Sequence, residues 1–520
     1  MTLHQGPADP LPAPRFNLID EPWIPVLCMD GTRCDLGIRD TLLQADQIVE
    51  IQDGSPLVVA ALHRLLLAVL YRALEGPTDG EQAKRWFAEG WPPGRVPAYL
   101  DKCRVRGRFW LHHHKHPFAQ IPDFEPRTWR SWTALAAEHN ADNAKVLFDH
   151  VDVSRAGPIS DAKAARWILA AQTFSVSAGK SELAHTGTAP SATALIVIPV
   201  GPRLIDTLAF LLVPQNRSVL EHDRPLWERD PETVETLRAS CERQVDGYAD
   251  LYTWRSRSIR LRAVAEGNVT HAAFASGVDA RAEHQSDPMV AYRIDEKRGR
   301  LPVQFRERGL WRDFDSLLPD PDRLAPRVIE HAVMLGRSCP QRFPRAVFVA
   351  GQANVKAKIE YWRLERFHLP QALHGDRYVR QELHDLLATA EDVQTALRQA
   401  SQSFARDTLS RGARKPEKED IRSFVDQMPA IAAYWSRLES SFHAVLRDYT
   451  EEREPDAIRW SWLKAAHAAL QDSWDQFAAT VDTGDAWAIR ALARAERFVR
   501  QRLAALAKEM ESLNPKKDPA

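Results

Sequence analysis

The sequence lacks the cysteine pairs that hold structural zinc. Its five cysteines include no C-x-x-C pair, which argues against a zinc ribbon and is typical of reduced, cytosolic proteins. The chain also lacks a strong net charge, since 69 lysines and arginines and 70 aspartates and glutamates leave −1. The electrostatic field of the whole chain would therefore not attract it to a polyanion such as nucleic acid. Any binding to nucleic acid therefore has to come from local basic patches or from charged partners.

The sequence has no long uninterrupted apolar run. Its most apolar segment, residues 56–74, contains His63, Arg64 and Arg72, which predicts a buried helix rather than a membrane span. Residues 1–15 are polar and rich in proline, which indicates a disordered lead-in rather than a signal peptide. These features predict a cytoplasmic protein that has no membrane partner.

Signatures of catalysis are also missing, because neither a G-x-S-x-G nor an H-E-x-x-H pattern occurs. Ser177–Ser181 resembles the end of a phosphate-binding P-loop, but Phe174 occupies the position where the full pattern needs glycine. His112 and His116 have H-x-x-x-H spacing, which converges on a metal only in a helix, whereas Pro117 favours an extended backbone. We therefore predict a protein that is not an enzyme and has no cofactor or metal. A metal-dependent hydrolase that uses His112 and His116 is the alternative, and a purely structural scaffold is a third interpretation.

The chain changes character near residue 375. Before this point, residues 192–200 and 345–350 are β-branched runs of strand length, and residues 161–174 have a helical pattern. After it, four long amphipathic segments are joined by short turns, which favours an antiparallel four-helix bundle. These segments span residues 379–409, 419–449, 454–481 and 484–513. The sequence thus predicts an α+β protein with a lead-in (1–15), an irregular mixed α+β domain (16–372), a four-helix bundle (373–513) and a tail (514–520).

Two basic stretches allow two interpretations each. Residues 351–370 mix four cations with Tyr361, Trp362 and Phe367. Such a mixture suits a nucleic-acid surface, because cations pair with phosphates and rings stack on bases. It equally suits an amphipathic element whose rings point inward. The segment Arg406–Lys418 is likewise either a solvated loop or a tip that contacts phosphates.

Five motifs follow one another along the chain: Phe16–Val26 (FNLIDEPWIPV), His116–Gln120 (HPFAQ), Phe174–Ser181 (FSVSAGKS), Leu310–Asp313 (LWRD) and Trp362–Pro370 (WRLERFHLP). In this order they resemble motifs of the CasA family, the large subunit of the type I-E CRISPR Cascade complex. The helical C-terminal part fits the four-helix bundle of that family. The resemblance covers nearly the whole chain.

The resemblance implies a recognition module without a catalytic site. A subunit of this kind reads the short protospacer-adjacent motif (PAM) in duplex DNA, helps to unwind the target and supports recruitment of the helicase-nuclease. This matches the division of labour in RNA-guided systems, where protein reads the PAM and base pairing reads the rest. The implied partners are a double-stranded DNA target with a PAM, the guide RNA 5′ handle, the other Cascade subunits and the helicase-nuclease.

The resemblance also implies DNA-contacting residues by position. A loop that approaches the minor groove corresponds to Ser177, Ala178, Gly179 and Lys180. A wedge that parts the first base pair corresponds to Val355, Lys356 and Ala357, where the family's wedge typically holds glutamine in place of Lys356. The family's minor-groove lysine finger would fall at residues 268–271, which contain no lysine.

Two further sets of residues complete the predicted interface. The start of a loop that contacts the guide-RNA handle corresponds by resemblance to Phe148, Asp149 and His150. The other interpretation of Phe148 is a buried anchor for a mobile loop. The basic tip of the bundle, interpreted from its charge, adds contacts to the DNA backbone from Arg411, Arg414 and Lys415.

Overall fold

A computed structural model describes residues 13–136, 156–176, 182–183, 187–239, 241–264, 268–281, 286–297, 299–306, 308–318, 323–355, 358–375, 377–411 and 415–513. The chain divides into two compact units. The first comprises Met1–Glu307 and Pro319–Arg366, and the second comprises Arg308–Leu318 and Phe367–Ala520. The first unit mixes helices with small sheets and the second is helical, which confirms the predicted α+β fold class.

The helices of the first unit are α1 (Ile38–Leu43), α2 (Pro56–Leu74), α3 (Gly80–Glu89), α4 (Arg95–Val105), α5 (Asp161–Phe174), α6 (Leu204–Leu211), α7 (Arg217–His222), α8 (Val234–Arg238), α9 (Tyr248–Tyr252) and α10 (Arg327–Ser338). The helices of the second unit are α11 (Ala372–Gly375), α12 (Arg377–Ser410), α13 (Lys418–Asp426), α14 (Pro429–Thr450), α15 (Pro455–Ala478) and α16 (Ala486–Ser512).

The strands are β1 (Arg15–Asn17), β2 (Ile24–Cys28), β3 (Arg33–Leu36), β4 (Ile48–Ile51), β5 (Trp110–His112), β6 (Arg130–Ser131), β7 (Ile159–Ser160), β8 (Ile196–Val200), β9 (Glu242–Gln244), β10 (Arg257–Val264), β11 (Asn268–Ser276), β12 (Asp279–Arg281), β13 (Tyr292–Asp295), β14 (Gly299–Pro302), β15 (Arg323–Leu324), β16 (Ala346–Val355) and β17 (Lys358–His368). They form small sheets with the orders β1-β5, β10-β11-β6, β12-β9, β14-β13-β15, β17-β16-β8 and β3-β2-β4, and β7 also pairs with β11.

Helix α2 is the core of the first unit. The Ser55 hydroxyl accepts a hydrogen bond from the Val58 amide at 3.3 Å, and Pro56 occupies the first turn; both favour a helix start. Within the described residues, α2 is the one helix long and apolar enough to cross a membrane, with a mean hydropathy of 1.8, yet 94% of that stretch is buried inside the protein. The Arg64 guanidinium is buried against the Asp287 carboxylate at 2.7 Å. The prediction of a buried helix is confirmed.

The second unit is a bundle of the four long helices α12, α14, α15 and α16. Tryptophan and tyrosine side chains join them, because Trp462 donates to the Leu386 carbonyl at 2.7 Å and Tyr434 to the Ala390 carbonyl at 3.0 Å. The predicted helix over residues 419–449 is two helices in the structure, α13 and α14. Pro429 explains the break, because it lacks the amide that would continue the helix from residues 425–426 and it fits the first turn of a new one.

The second unit also takes in the 3-10 helix Leu310–Leu317, which the sequence-based boundary at residue 372 leaves in the first domain. Trp311 is buried and its ring lies 5.4 Å from that of Trp435 and 6.3 Å from that of Trp462. Arg312 forms an ion pair with Glu391 at 2.7 Å. Buried aromatic rings are among the largest contributors to a core, so this short segment is part of the bundle's interior.

Candidate nucleic-acid interface

The predicted wedge falls between two neighbouring strands. β16 ends at Val355 and β17 begins at Lys358, and the two strands are adjacent in the sheet β17-β16-β8. Lys356, Ala357 and the side chain of Val355 lie outside the described residues. Adjacent strands joined by two residues are typical of a hairpin. β16 and β17 therefore flank the predicted wedge, which itself stays a prediction.

The predicted minor-groove residues Ser177, Ala178, Gly179 and Lys180 also lie outside the described residues, but the chain on both sides of them is described. The Ala189 amide donates to the Ser175 carbonyl at 2.9 Å. Val176 packs with Ala189 and Ala192 in a small buried cluster. Residues 175–176 and 187–192 therefore form a closed base, called here the loop stem, which brackets the predicted loop in sequence.

The loop stem meets strand β16 at Gln352. This side chain is fully buried, and its Nε2 donates to the Phe174 carbonyl at 2.5 Å and to the Ala192 carbonyl at 2.9 Å. The neighbouring Gly351 allows this approach, since a Cβ there would lie 2.8 Å from the Ala194 carbonyl oxygen. The structure thus brings together the flanks of two predicted DNA-contacting segments that are separated by about 180 residues in sequence.

Arg257, near the start of β10, binds the same stem. Its Nη2 donates to the carbonyls of Ser175 at 3.1 Å, Val176 at 3.0 Å and Gly187 at 3.3 Å, so the guanidinium reaches both sides of the stem. Burial lowers the pKa of this guanidinium to about 10, partly offset by Asp279. The side chain remains a cation at neutral pH, and its planar array of donors matches several carbonyls at once.

The described side chains of β17 favour the amphipathic interpretation of the basic aromatic stretch. Arg363 lies 3.6 Å from Glu365, and the Arg366 guanidinium lies 5.0 Å from the centre of the Phe348 ring. Phe367 is buried. Arg363 thus has a carboxylate partner within its own strand, whereas Arg366 is exposed and lies over a ring of β16, so only part of the positive charge of this strand is unpaired.

The remaining loops of the predicted interface are described only at their ends. Phe148, Asp149 and His150 lie outside the described residues, and near the end of that gap Trp132 donates to the Gly157 carbonyl at 2.8 Å.

The expected position of the lysine finger is the start of β11. At the adjoining end of β10, the Arg262 guanidinium lies 5.8 Å from the centre of the Trp129 ring.

The basic tip of the bundle is described at Arg411 and Lys415, whereas Arg414 lies outside the described residues. Arg411 has a left-handed backbone with φ of 37°, and its side chain is 76% exposed and 3.6 Å from Asp485. Lys415 is exposed and has no ion-pair partner among the described residues. Charge at the tip is therefore available to solvent, but Arg411 is partly neutralised by Asp485.

The structure shows a basic groove beside the tip. Its Arg406 and Lys418 belong to the basic segment named from the sequence, whereas Arg398 was missed. A cavity of about 420 Å³ between α12 and α13 is lined by Arg398, Gln402, Arg406, Lys418, Ile421, Arg422, Val425 and Asp426. Arg398, Arg406 and Lys418 have no ion-pair partner among the described residues, and Arg422 lies 3.8 Å from Asp426. The sequence signal was present, because Arg398 and Arg406 are eight residues apart and so share one face of a helix.

The histidine run does not form a helical pair of ligands. His112 ends strand β5, and its Nε2 lies 2.8 Å from the buried Asp161 carboxylate. The His113 Nδ1 accepts hydrogen bonds from the amides of Lys115 and His116 at 3.0 and 2.9 Å. No group of three potential metal ligands occurs among the residues that the structure describes. The helical backbone on which the hydrolase alternative depended is absent from this segment.

Known proteins resemble this chain over nearly its whole length. The family described as CRISPR-associated protein Cse1 matches residues 17–473. The CRISPR-associated protein CasA/Cse1 of Thermus thermophilus is 32% identical over 510 residues, which cover 96% of this chain and 99% of that protein. The crystal structure of Thermus thermophilus CasA superposes with a TM-score of 0.83 at 30% identity, over 94% of this chain and 100% of that one. A chain of a structure described as a CRISPR RNA-guided surveillance complex has the same fold, with a TM-score of 0.73 at 17% identity over 94% of this chain and 100% of that one. The chain therefore belongs to the CasA/Cse1 family of CRISPR-associated proteins.

Proposed function

We propose that this chain is the large subunit of a cytoplasmic, RNA-guided antiviral surveillance complex and recognises the PAM in duplex DNA. Its family membership supports this role, as does the occurrence of the same fold in a structure described as an RNA-guided surveillance complex. One observation carries the proposal furthest. Gln352 joins the flank of the predicted minor-groove loop to the strand that leads into the predicted wedge, so both elements depart from one site.

In this proposal the protein acts by binding and has no catalytic residues. Ser177–Lys180 approach the minor groove at the PAM, and Val355–Ala357 enter the stack beside it. Separating stacked bases costs about a few kcal/mol per step, which contacts to the parted strands offset. Lys356 adds an ion pair with a phosphate, a contact that glutamine at the same position could not make. Recognition of the PAM and the first step of unwinding are then performed together.

The other predicted contacts serve assembly and the DNA backbone. Phe148–His150 contact the guide RNA 5′ handle and so hold the subunit on the complex. Arg411, Arg414 and Lys415 contact DNA phosphates, and the basic groove of α12 and α13 extends this surface with cations that have no described carboxylate partner. The assembled complex then supports recruitment of the helicase-nuclease.

The proposal is tested with the guide-RNA complex reconstituted with and without this chain. Binding is measured at one fixed salt concentration to two duplexes that match the guide and differ only in the PAM, because salt alone changes such affinities strongly. We expect selectivity for the PAM duplex only when the chain is present. Equal selectivity in its absence would mean that another subunit reads the PAM.

A further inference from the structure

We propose that Gln352 and Arg257 are positioning residues, which hold the loop stem and strand β16 in one fixed frame and thereby set selectivity for the PAM. The inference rests on the proposed function, because it assigns these residues a role in DNA recognition without any contact of their own to DNA. Both are buried, with Gln352 fully inaccessible and Arg257 only 4% exposed.

The hydrogen bonds of Gln352 connect three separate parts of the chain. Its Nε2 joins strand β16 to the last residue of α5, at Phe174, and to the far side of the loop stem, at Ala192. Strand β16 leads directly into the predicted wedge, and α5 leads within three residues to the predicted minor-groove loop. A shift of either flank would therefore be transmitted to the other through one amide group.

Arg257 holds the stem from both sides. Its guanidinium donates to the carbonyls of Ser175 and Val176 on one side of the stem and of Gly187 on the other. The Asp279 carboxylate accepts a long hydrogen bond of 3.5 Å from the Gly187 amide. Lysine could supply the charge but not the planar set of donors, because its ammonium is a single point.

Each side chain also carries a cost in stability. The Gln352 Oε1 is buried and accepts no hydrogen bond from the residues that the structure describes, and an unpaired buried acceptor is destabilising. Arg257 places a cation among carbonyl oxygens in the interior, and burial depresses its pKa. Polar groups kept in the interior at such a cost are expected where they fix the geometry of a functional site.

The test compares Gln352→Met with Gln120→Met in the reconstituted complex. Gln120 is the control, because it is a buried glutamine whose Nε2 also donates to carbonyls, those of Leu111 and Phe118. Its Oε1 accepts from the Leu261 amide of β10, and its hydrogen bonds among the described residues reach neither the stem nor β16. Two quantities are measured: the ratio of affinities for duplexes with and without the PAM, and the rate of strand opening reported by a fluorescent base beside the PAM.

We expect Gln352→Met to lower both the selectivity ratio and the opening rate, by about ten- to a hundredfold, since displacement of a contact by about 1 Å has effects of that size. Gln120→Met should lower neither, even if both variants melt at similarly reduced temperatures. Arg257→Lys should lower the selectivity ratio and leave the opening rate closer to wild type, because the described side-chain hydrogen bonds of Arg257 reach the stem and the Ser256 carbonyl but not strand β16. Should Gln352→Met fail to assemble, Arg257→Lys alone decides the question through the selectivity ratio.

Wild-type selectivity in Gln352→Met and Arg257→Lys, or an equal loss in Gln120→Met, would overturn the positioning role. Lys180→Ala and Lys356→Ala, measured in parallel, separate this failure from failure of the proposed function. If these two variants lose selectivity and opening while Gln352→Met behaves like Gln120→Met, only the positioning role is wrong. If Lys180→Ala and Lys356→Ala are both unaffected, the proposed interface itself is wrong, and the positioning role with it.

Discussion

Replacing the cations of the basic groove should flatten the salt dependence of target binding. Arg398, Arg406 and Lys418 line the groove and have no ion-pair partner among the described residues. Each phosphate contact with duplex DNA contributes about 0.9 to the slope of log affinity against log salt. If each residue makes one such contact, the variant Arg398→Ala/Arg406→Ala/Lys418→Ala loses about 2.7 from that slope.

This magnitude can be measured directly. Wild-type affinity falls as salt rises from about 50 to 200 mM, and a slope smaller by about 2.7 means that the affinity of the variant falls by a factor about 40 times smaller. The variant should also bind more weakly at low salt, by a similar factor for all sequences, because phosphates carry no base identity. The assay is filter binding or fluorescence anisotropy of the assembled complex on a matched target at four or five salt concentrations.

A control variant separates local contact from the loss of charge. Arg459, Arg494 and Arg500 are also bundle arginines, but they are paired with Glu509 at 2.6 Å, Asp407 at 3.3 Å and Glu496 at 2.9 Å. Their triple alanine variant changes the net charge by the same amount. An equal change of slope in both variants, or no change in the groove variant, would refute the groove as a phosphate-binding surface.

Three further predictions concern other parts of the molecule. The chain on its own should bind short duplexes weakly and with little selectivity, since its net charge is −1; tight PAM-selective binding in a gel shift at physiological salt would contradict this. Lys356→Ala should slow strand opening and lower the salt slope by about 1, whereas Lys356→Gln should restore opening only partly; wild-type opening rates in both variants would show that this loop is not the wedge. Burial lowers the pKa of His63 and of His331 from 6.5 to about 4. These histidines are therefore protonated in the unfolded chain before they are protonated in the folded one, so the free energy of unfolding falls as the pH drops from about 6.5 to 4. His331→Gln should reduce that fall by about 3 kcal/mol. Denaturant unfolding at several pH values measures it, and a free energy of unfolding that falls with pH as steeply in the variant as in wild type would contradict this.

Local sequence signals predicted the elements that depend on local chemistry. The helical pattern over residues 161–174 matches α5 at both ends, because Ser160 caps its start and the apolar spacing is regular. Strand β8 begins at Ile196 rather than at residue 192, since Ala192 and Ala194 donate to the carbonyls of Ala189 and Ser191 in turns. A β-branched composition alone does not reveal where such turns give way to a strand.

Features that depend on distant contacts could not be read from the sequence. Trp311 was recognised only as part of a motif, and its burial in the bundle depends on Trp435 and Trp462, more than one hundred residues away. Gln352 and Arg257 carry no local signal, because their partners at Phe174, Ala192 and Gly187 come from other segments. The predicted loop and wedge residues were assigned by resemblance, whereas the contact between their flanks is a property of the fold.

The most direct measurement is site-specific photo-crosslinking from positions 180 and 356 in the assembled complex on a PAM-bearing target. A photoreactive amino acid at position 180 should crosslink to the PAM base pairs, and one at position 356 to the first base pair beyond the PAM. Both patterns should vanish on a duplex that lacks the PAM. Crosslinks from position 356 that spread evenly along the duplex, or that persist without the PAM, would contradict the account of a loop and a wedge that act together at one point on the DNA.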